Sequence, residues 1–112
     1  MASSKEYLQF ILEQLSGLEE INYRAMMGEY IIYYQGRIVG GIYDDRLLVK
    51  PTKSAVSYMT TAIYELPYEG AKEMLLVENV DSKEYLAGLF KAMYDELPVH
   101  KSNNKKKSMD TL

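Results

Sequence analysis

Three runs rich in β-branched and aromatic residues follow one another with only two residues between them, and this spacing constrains the fold more than any other feature of the chain. Residues 29–34, 37–43 and 46–50 are separated by Gln35-Gly36 and Asp44-Asp45. A two-residue link joins neighbouring antiparallel strands through a tight turn and is too short for the crossover that a parallel pair needs. The runs therefore predict an antiparallel meander. Residues 21–26 supply a further strand ahead of it, and Pro51, which has no N–H to give to a ladder, closes it.

Helical periodicity brackets the meander. Leu8, Ile11, Leu12, Leu15 and Leu18 recur at the spacing of one buried helix face, which predicts a helix over 4–16. Ser3 and Glu6 stand at capping-box spacing ahead of it, and Gly17 stands where a left-handed residue would end it. Thr52 predicts the cap of a short helix reaching residue 59. Residues 60–72, with Pro67 and Gly70, predict irregular chain, and 73–78, around Met74-Leu75-Leu76-Val77, a later strand. Asp81 and Glu84 repeat the capping pattern before a helix over 82–97. Its stripe is Leu86, Leu89, Phe90, Met93 and Leu97, and Pro98 stops it. The expected fold is α+β and two-layered, a curved antiparallel sheet of about four meander strands plus one later strand, packed by N- and C-terminal helices. One domain is expected over residues 1–98, with a disordered lysine-rich tail over 99–112.

Two tight hairpins fix an expected register in which Tyr33 faces Ile38, Ile31 faces Gly40 and Ile42 faces Leu47. One sheet face then carries Ile31, Tyr33, Ile38, Ile42, Leu47 and Val49, the expected core side. The other carries Tyr30, Ile32, Tyr34, Arg37, Val39, Tyr43, Arg46, Leu48 and Lys50. That second face is more apolar and aromatic than water requires. Either a partner protein covers it, or the chain's own loop and short helix do. A bulge at Gly40-Gly41 would exchange the faces beyond it.

Composition excludes several chemistries. There is no cysteine, hence no disulfide, thiol nucleophile or thiolate-held metal, and a reducing compartment is suited. The start is polar and no apolar run approaches the ~20 residues of a membrane span, so a cytoplasmic protein is expected. Residues 99–112 hold Lys101, Lys105, Lys106 and Lys107 against Asp110, while residues 1–98 carry nine positive and fifteen negative side chains. An acidic body repels phosphate, so only the lysine tail offers weak, sequence-independent contact with nucleic acid. Arg24 and Glu29 flank Gly28 as either an acid–base or anion-binding pair or a structural ion pair. Asp44-Asp45 fits turn geometry better than a metal site, with no histidine or further carboxylate at ligand spacing. His100, the only histidine, follows Pro98 at the edge of the tail and lacks the fixed scaffold a catalytic base needs. No nucleophile elbow, phosphate loop or dinucleotide fingerprint is present, and neither a catalytic residue, a cofactor nor a metal is expected. Eleven tyrosines point to core or interface use, and Met26-Met27, near an exposed turn, to adaptable contact surface.

The stretch Tyr23-Arg24-Ala25-Met26-Met27-Gly28-Glu29-Tyr30 resembles the Arg-x-Met-Phe-Gly-Gly-Tyr signature of TfoX/Sxy N-terminal domains. The resemblance continues through Tyr33 to Arg37, Gly41 to Lys50, Tyr64 to Met74 and the closing helix, so it spans about residues 4–98. Met27 stands where many members have phenylalanine, and Glu29 where many have glycine. The second, helical domain of full-length TfoX proteins has no counterpart. The resemblance implies a secretion-chaperone-like architecture, homodimerisation, and regulation of DNA-uptake genes through protein contact with a transcription regulator. On that basis a non-enzymatic interaction module is expected, with Arg24, Met26, Met27, Gly28, Glu29, Tyr30, Tyr34, Arg37, Tyr43 and Arg46 as candidate contact residues. The alternative is a small ligand-binding or enzymatic domain with a polar site near Arg24, Glu29 and Tyr30.

Overall fold

The computed structural model describes residues 3–98. The expected tail and His100 lie outside them. The described residues form helix α1 (Lys5–Gln14), strands β1 (Ile21–Met26), β2 (Glu29–Tyr34), β3 (Arg37–Ile42) and β4 (Leu47–Val49), helix α2 (Lys53–Tyr58), strands β5 (Tyr64–Glu65) and β6 (Met74–Leu76), and helix α3 (Lys83–Met93), continued by a 3-10 turn Tyr94–Glu96. All strands join one antiparallel sheet in the order β1-β2-β3-β4-β6-β5. The α+β architecture with helices at both ends is the expected one. The two-residue strand β5 is an addition, within a stretch expected to be irregular.

Each helix begins on a side-chain cap. Ser4, Thr52 and Ser82 accept from the backbone N–H groups of Tyr7, Ala55 and Tyr85, each satisfying one of the orphan donors of a first turn. The caps of α1 and α3 fall one residue later than Ser3 and Asp81. Ser3 is drawn away to Glu29 instead, at 2.6 Å. Gly17 is not left-handed; α1 is capped at Leu15.

The three meander links, Met27-Gly28, Gln35-Gly36 and Asp44-Asp45, have positive φ at both residues. These are two-residue type I′ turns, whose twist matches that of the strands they join. The register confirms Tyr33 opposite Ile38 and Ile42 opposite Leu47, but Ile31 meets Gly41 and Ile32 meets Gly40. The pairing slips between Ile32 and Tyr33, leaving Val39 as the extra residue of a bulge. The expected core face is therefore inverted for β2 and the start of β3. Ile32, Tyr34 and Val39 are buried in the core with Ile42, Leu47 and Val49, while Ile31, Tyr33 and Ile38 lie half-buried on the outer face.

Beside the bulge, two glycines allow close approaches. A Cβ on Gly40 would collide with the carbonyl oxygen of Leu48 in the adjoining strand. Gly41 leaves room for the Tyr43 ring, which a Cβ would meet at 2.7 Å. On the inner side, Leu8, Ile11 and Leu15 of α1 and Leu86, Leu89, Phe90 and Met93 of α3 complete the core with Leu97. Helix α2 adds Ala55, and its cap Met59 follows it into the same core.

Candidate functional site

Half of the outer sheet face is shielded by the chain itself. Tyr43 lies over Gly41, Tyr68 packs against Tyr43 with ring centroids 6.1 Å apart, and Pro67 is buried. Arg46 ties this loop down, pairing with Glu65 at 2.6 Å and donating to the Leu66 carbonyl at 3.2 Å. Leu48 on the same face has no exposure at all. Burial pushes the Tyr43 hydroxyl above its ordinary pKa, and Tyr68 and then Glu29 add to the rise. The loop named as one alternative covers this half of the face; α2 packs against α3 instead.

The candidate contact residues therefore divide. Tyr34 is only 5% exposed and packs against Phe90 and Tyr94. Arg37 stacks over the Tyr94 ring at 4.3 Å and donates to the carbonyls of Tyr94 and Leu97. Tyr30 is half-buried against the core. With Tyr43 and Arg46, these side chains are occupied in holding the domain together. Glu29 is occupied as well. Its oxygens accept from the Asp44 N–H at 3.2 and 3.3 Å and from the Ser3 hydroxyl, while Ser3 Oγ accepts from the Asp45 N–H at 3.0 Å. Asp45 Oδ1 in turn accepts from the Ser4 N–H at 2.9 Å. This network compensates the left-handed backbone of Asp44 and Asp45. Arg24 and Glu29 form no ion pair; among the described residues the ion pair present is Arg46–Glu65. Nor do three His, Cys, Asp or Glu side chains gather as a metal site among the described residues.

Of the candidate residues, those left in solvent lie on the β1–β2 hairpin. From Asn22 to Gly28 every residue is exposed. Arg24 stands opposite Ile31 and Met26 opposite Glu29 on the outer side. Tyr23 and Ala25 stand on the other side, opposite Ile32 and Tyr30, with the Tyr23 ring edge-on to Tyr30 at 5.9 Å. Met27 is 96% exposed and has φ 54°. A left-handed L-residue costs about 1 kcal/mol or more, and no contact of the Met27 side chain returns it. Gly28, at the second turn position, accepts the Ser3 N–H at 3.0 Å.

Arg24, Met26, Met27 and Gly28 are thus brought together at one tip, and the other six candidates are not part of it as free side chains. Tyr23, 46% exposed, joins the tip without having been expected there. Nothing in the sequence separates it from ten other tyrosines, because the face each occupies depends on the bulge. No helix among the described residues is long and apolar enough to cross a membrane.

The family model of the TfoX N-terminal domain matches residues 13–93. A protein of Spirochaeta aurantia, known as the uncharacterized 12.7 kDa protein in the trpE 5′ region, is 30% identical over 80 residues, covering 71% of this chain and 70% of its own. No solved structure matches the chain.

Proposed function

Because the chain belongs to the TfoX N-terminal domain family, we propose that it is a non-enzymatic regulatory module of the cytoplasm that contacts a transcription regulator through the β1–β2 hairpin. The observation that carries this reading is Met27. A flexible, polarisable side chain stands at a turn apex, fully in water, on backbone that disfavours it. Local stability would select asparagine or glycine at that position. A methionine there gains free energy only when another surface buries it, about 1.5–3 kcal/mol for a complete transfer from water.

The test is a pull-down from cells that express the protein, with Met27→Asn beside the unaltered chain and retained proteins identified by mass spectrometry. Asparagine suits left-handed backbone, so the variant should fold at least as well. The expected result is a transcription regulator held by the unaltered chain and lost with Met27→Asn. Equal retention by both, or no regulator on either, overturns the reading.

A further inference from the structure

The chain carries seven methionines and no cysteine, so thioethers are its only sulfur. Burial divides those among the described residues. Met93 of α3 is fully buried and Met59, the cap of α2, is 7% exposed, both within the core. Met74 is half-buried in β6. Met26 and Met27, side by side at the hairpin tip, are 42% and 96% exposed. The sulfur open to solvent among the described residues is therefore gathered on the element proposed to make the contact. Met1 and Met109 lie outside these residues.

Exposure governs how readily a thioether is oxidised. With hydrogen peroxide, the sulfur lone pair attacks one peroxide oxygen, the O–O bond breaks, an S–O bond forms and water leaves. Sulfur is oxidised by two electrons and the peroxide is reduced. A methionine sulfoxide reductase reverses the change, removing the oxygen as water with two electrons and two protons from a dithiol, which becomes a disulfide. That dithiol comes from outside the chain, which has no thiol of its own.

We propose that Met27 is a reversible sulfoxidation site, with Met26 oxidised more slowly beside it, and that oxidation of Met27 releases the partner of the hairpin. The release rests on the hairpin being the contact element, as in the preceding proposal, and adds its regulation. A thioether gains when another surface buries it. A sulfoxide carries a strongly polar oxygen, and burying it without a donor is unfavourable. One added oxygen thus turns the apex from a side chain that favours contact into one that opposes it.

The fold is arranged to bear this change. The turn conformation is a property of the Met27-Gly28 backbone, Met26 pairs with Glu29 through the strand ladder, and the Gly28 carbonyl is held by Ser3. None of these needs the Met27 thioether. A sulfoxide at Met93 would instead place a polar oxygen among Leu86, Leu89 and Phe90. The projecting apex also leaves the side chain open to a reductase, which must enclose the sulfoxide to reduce it. Leucine at the same position would offer an apolar contact of similar size with nothing to oxidise.

The experiment treats the full chain with hydrogen peroxide and samples it over time. Peptide mass spectrometry reads each methionine, far-ultraviolet circular dichroism reads the fold, and a pull-down from cells that express the protein reads capture of the regulator. Met27 should gain an oxygen first, and Met59 and Met93 at least about tenfold more slowly, because they wait on opening of the core. The spectrum should not change with the first oxygen. Reductases for both sulfoxide epimers, supplied with dithiothreitol, should restore the original mass. Capture should fall about tenfold on oxidation and return on repair. In Met27→Leu, the ratio of capture after peroxide to capture before it should stay level, which assigns the loss to Met27 and not to Met26, Met1 or Met109. Equal oxidation rates at Met27 and Met93, unfolding with the first oxygen, or a sulfoxide that the reductases leave in place overturns the site. Capture that survives oxidation of Met27, a loss that repair does not reverse, or an equal loss in Met27→Leu overturns the release. A chain that captures no regulator before peroxide overturns the preceding proposal and the release with it, while the order of oxidation and its repair still decide the site.

Discussion

The β1–β2 and β3–β4 hairpins use the same turn, two residues with positive φ, yet they differ in almost everything around it. At Asp44-Asp45, both amides are taken by Glu29 and Ser3, and Asp45 itself holds the Ser4 N–H. Strand β4 is buried on both sides. At Met27-Gly28, the carbonyl of Gly28 accepts from Ser3, and the Met27 side chain stands in water. One hairpin has its backbone cost offset within the fold. The other has no such offset among the described residues. The lesson is that strain marks a functional element only where no neighbour compensates it.

The contrast can be broken most severely at Gly40. Gly40→Ala drives a methyl into the Leu48 carbonyl, and backbone cannot swing aside as a side chain can. A loss of about 3 kcal/mol or more is expected, read as a collapse of the urea midpoint, whereas Ala25→Ser on exposed β1 should shift it by no more than about 0.5 kcal/mol.

Alkaline titration ranks next, because several rings act together. Burial raises the pKa of Tyr34, Tyr43, Tyr85 and Tyr7 above the ordinary 10.0. The unfolded chain therefore loses these protons first. Stability should be level below pH 10 and fall as pH rises beyond it through the folded-state values. Chemical denaturation at a series of pH values checks this, and a stability that rises above pH 10 would contradict it.

A smaller change sharpens the comparison at the turn itself. Glu29→Ala leaves the Asp44 amide without its acceptor and should cost about 1 kcal/mol, measured by thermal or urea unfolding. Smallest and opposite in sign is Met27→Asn, which should stabilise the domain by a few tenths of a kcal/mol. If Met27→Asn destabilises instead, the methionine has an intramolecular role and the two hairpins are alike after all.

Much of this architecture was legible because turn length and helix stripes are local properties. The gaps at Gln35-Gly36 and Asp44-Asp45 dictate hairpins whatever surrounds them. The stripe from Leu86 to Leu97 is buried along its whole length. The facing of β2 was not legible. Tyr30-Ile31-Ile32-Tyr33-Tyr34 is apolar at every position, so no alternation distinguishes the two sides. The bulge that decides the matter, with Val39 as its extra residue, lies in the pairing of β2 with β3 and leaves no local pattern in either run. The exposure of the candidate residues divides for the same reason: Tyr34 and Arg37 lie on a face that the bulge turns inward, whereas the exposure of Met26-Met27 follows from the turn alone.

Arg37 has one practical consequence. By holding the carbonyl of Leu97 beside the Gln35-Gly36 turn, it fixes this stretch at the pole of the sheet remote from Met27, roughly 17 Å away along a six-residue strand. A fluorophore carried on exposed Pro98 itself would leave the apex clear. One carried at Ser3, whose amide is bonded to Gly28, would stand beside it.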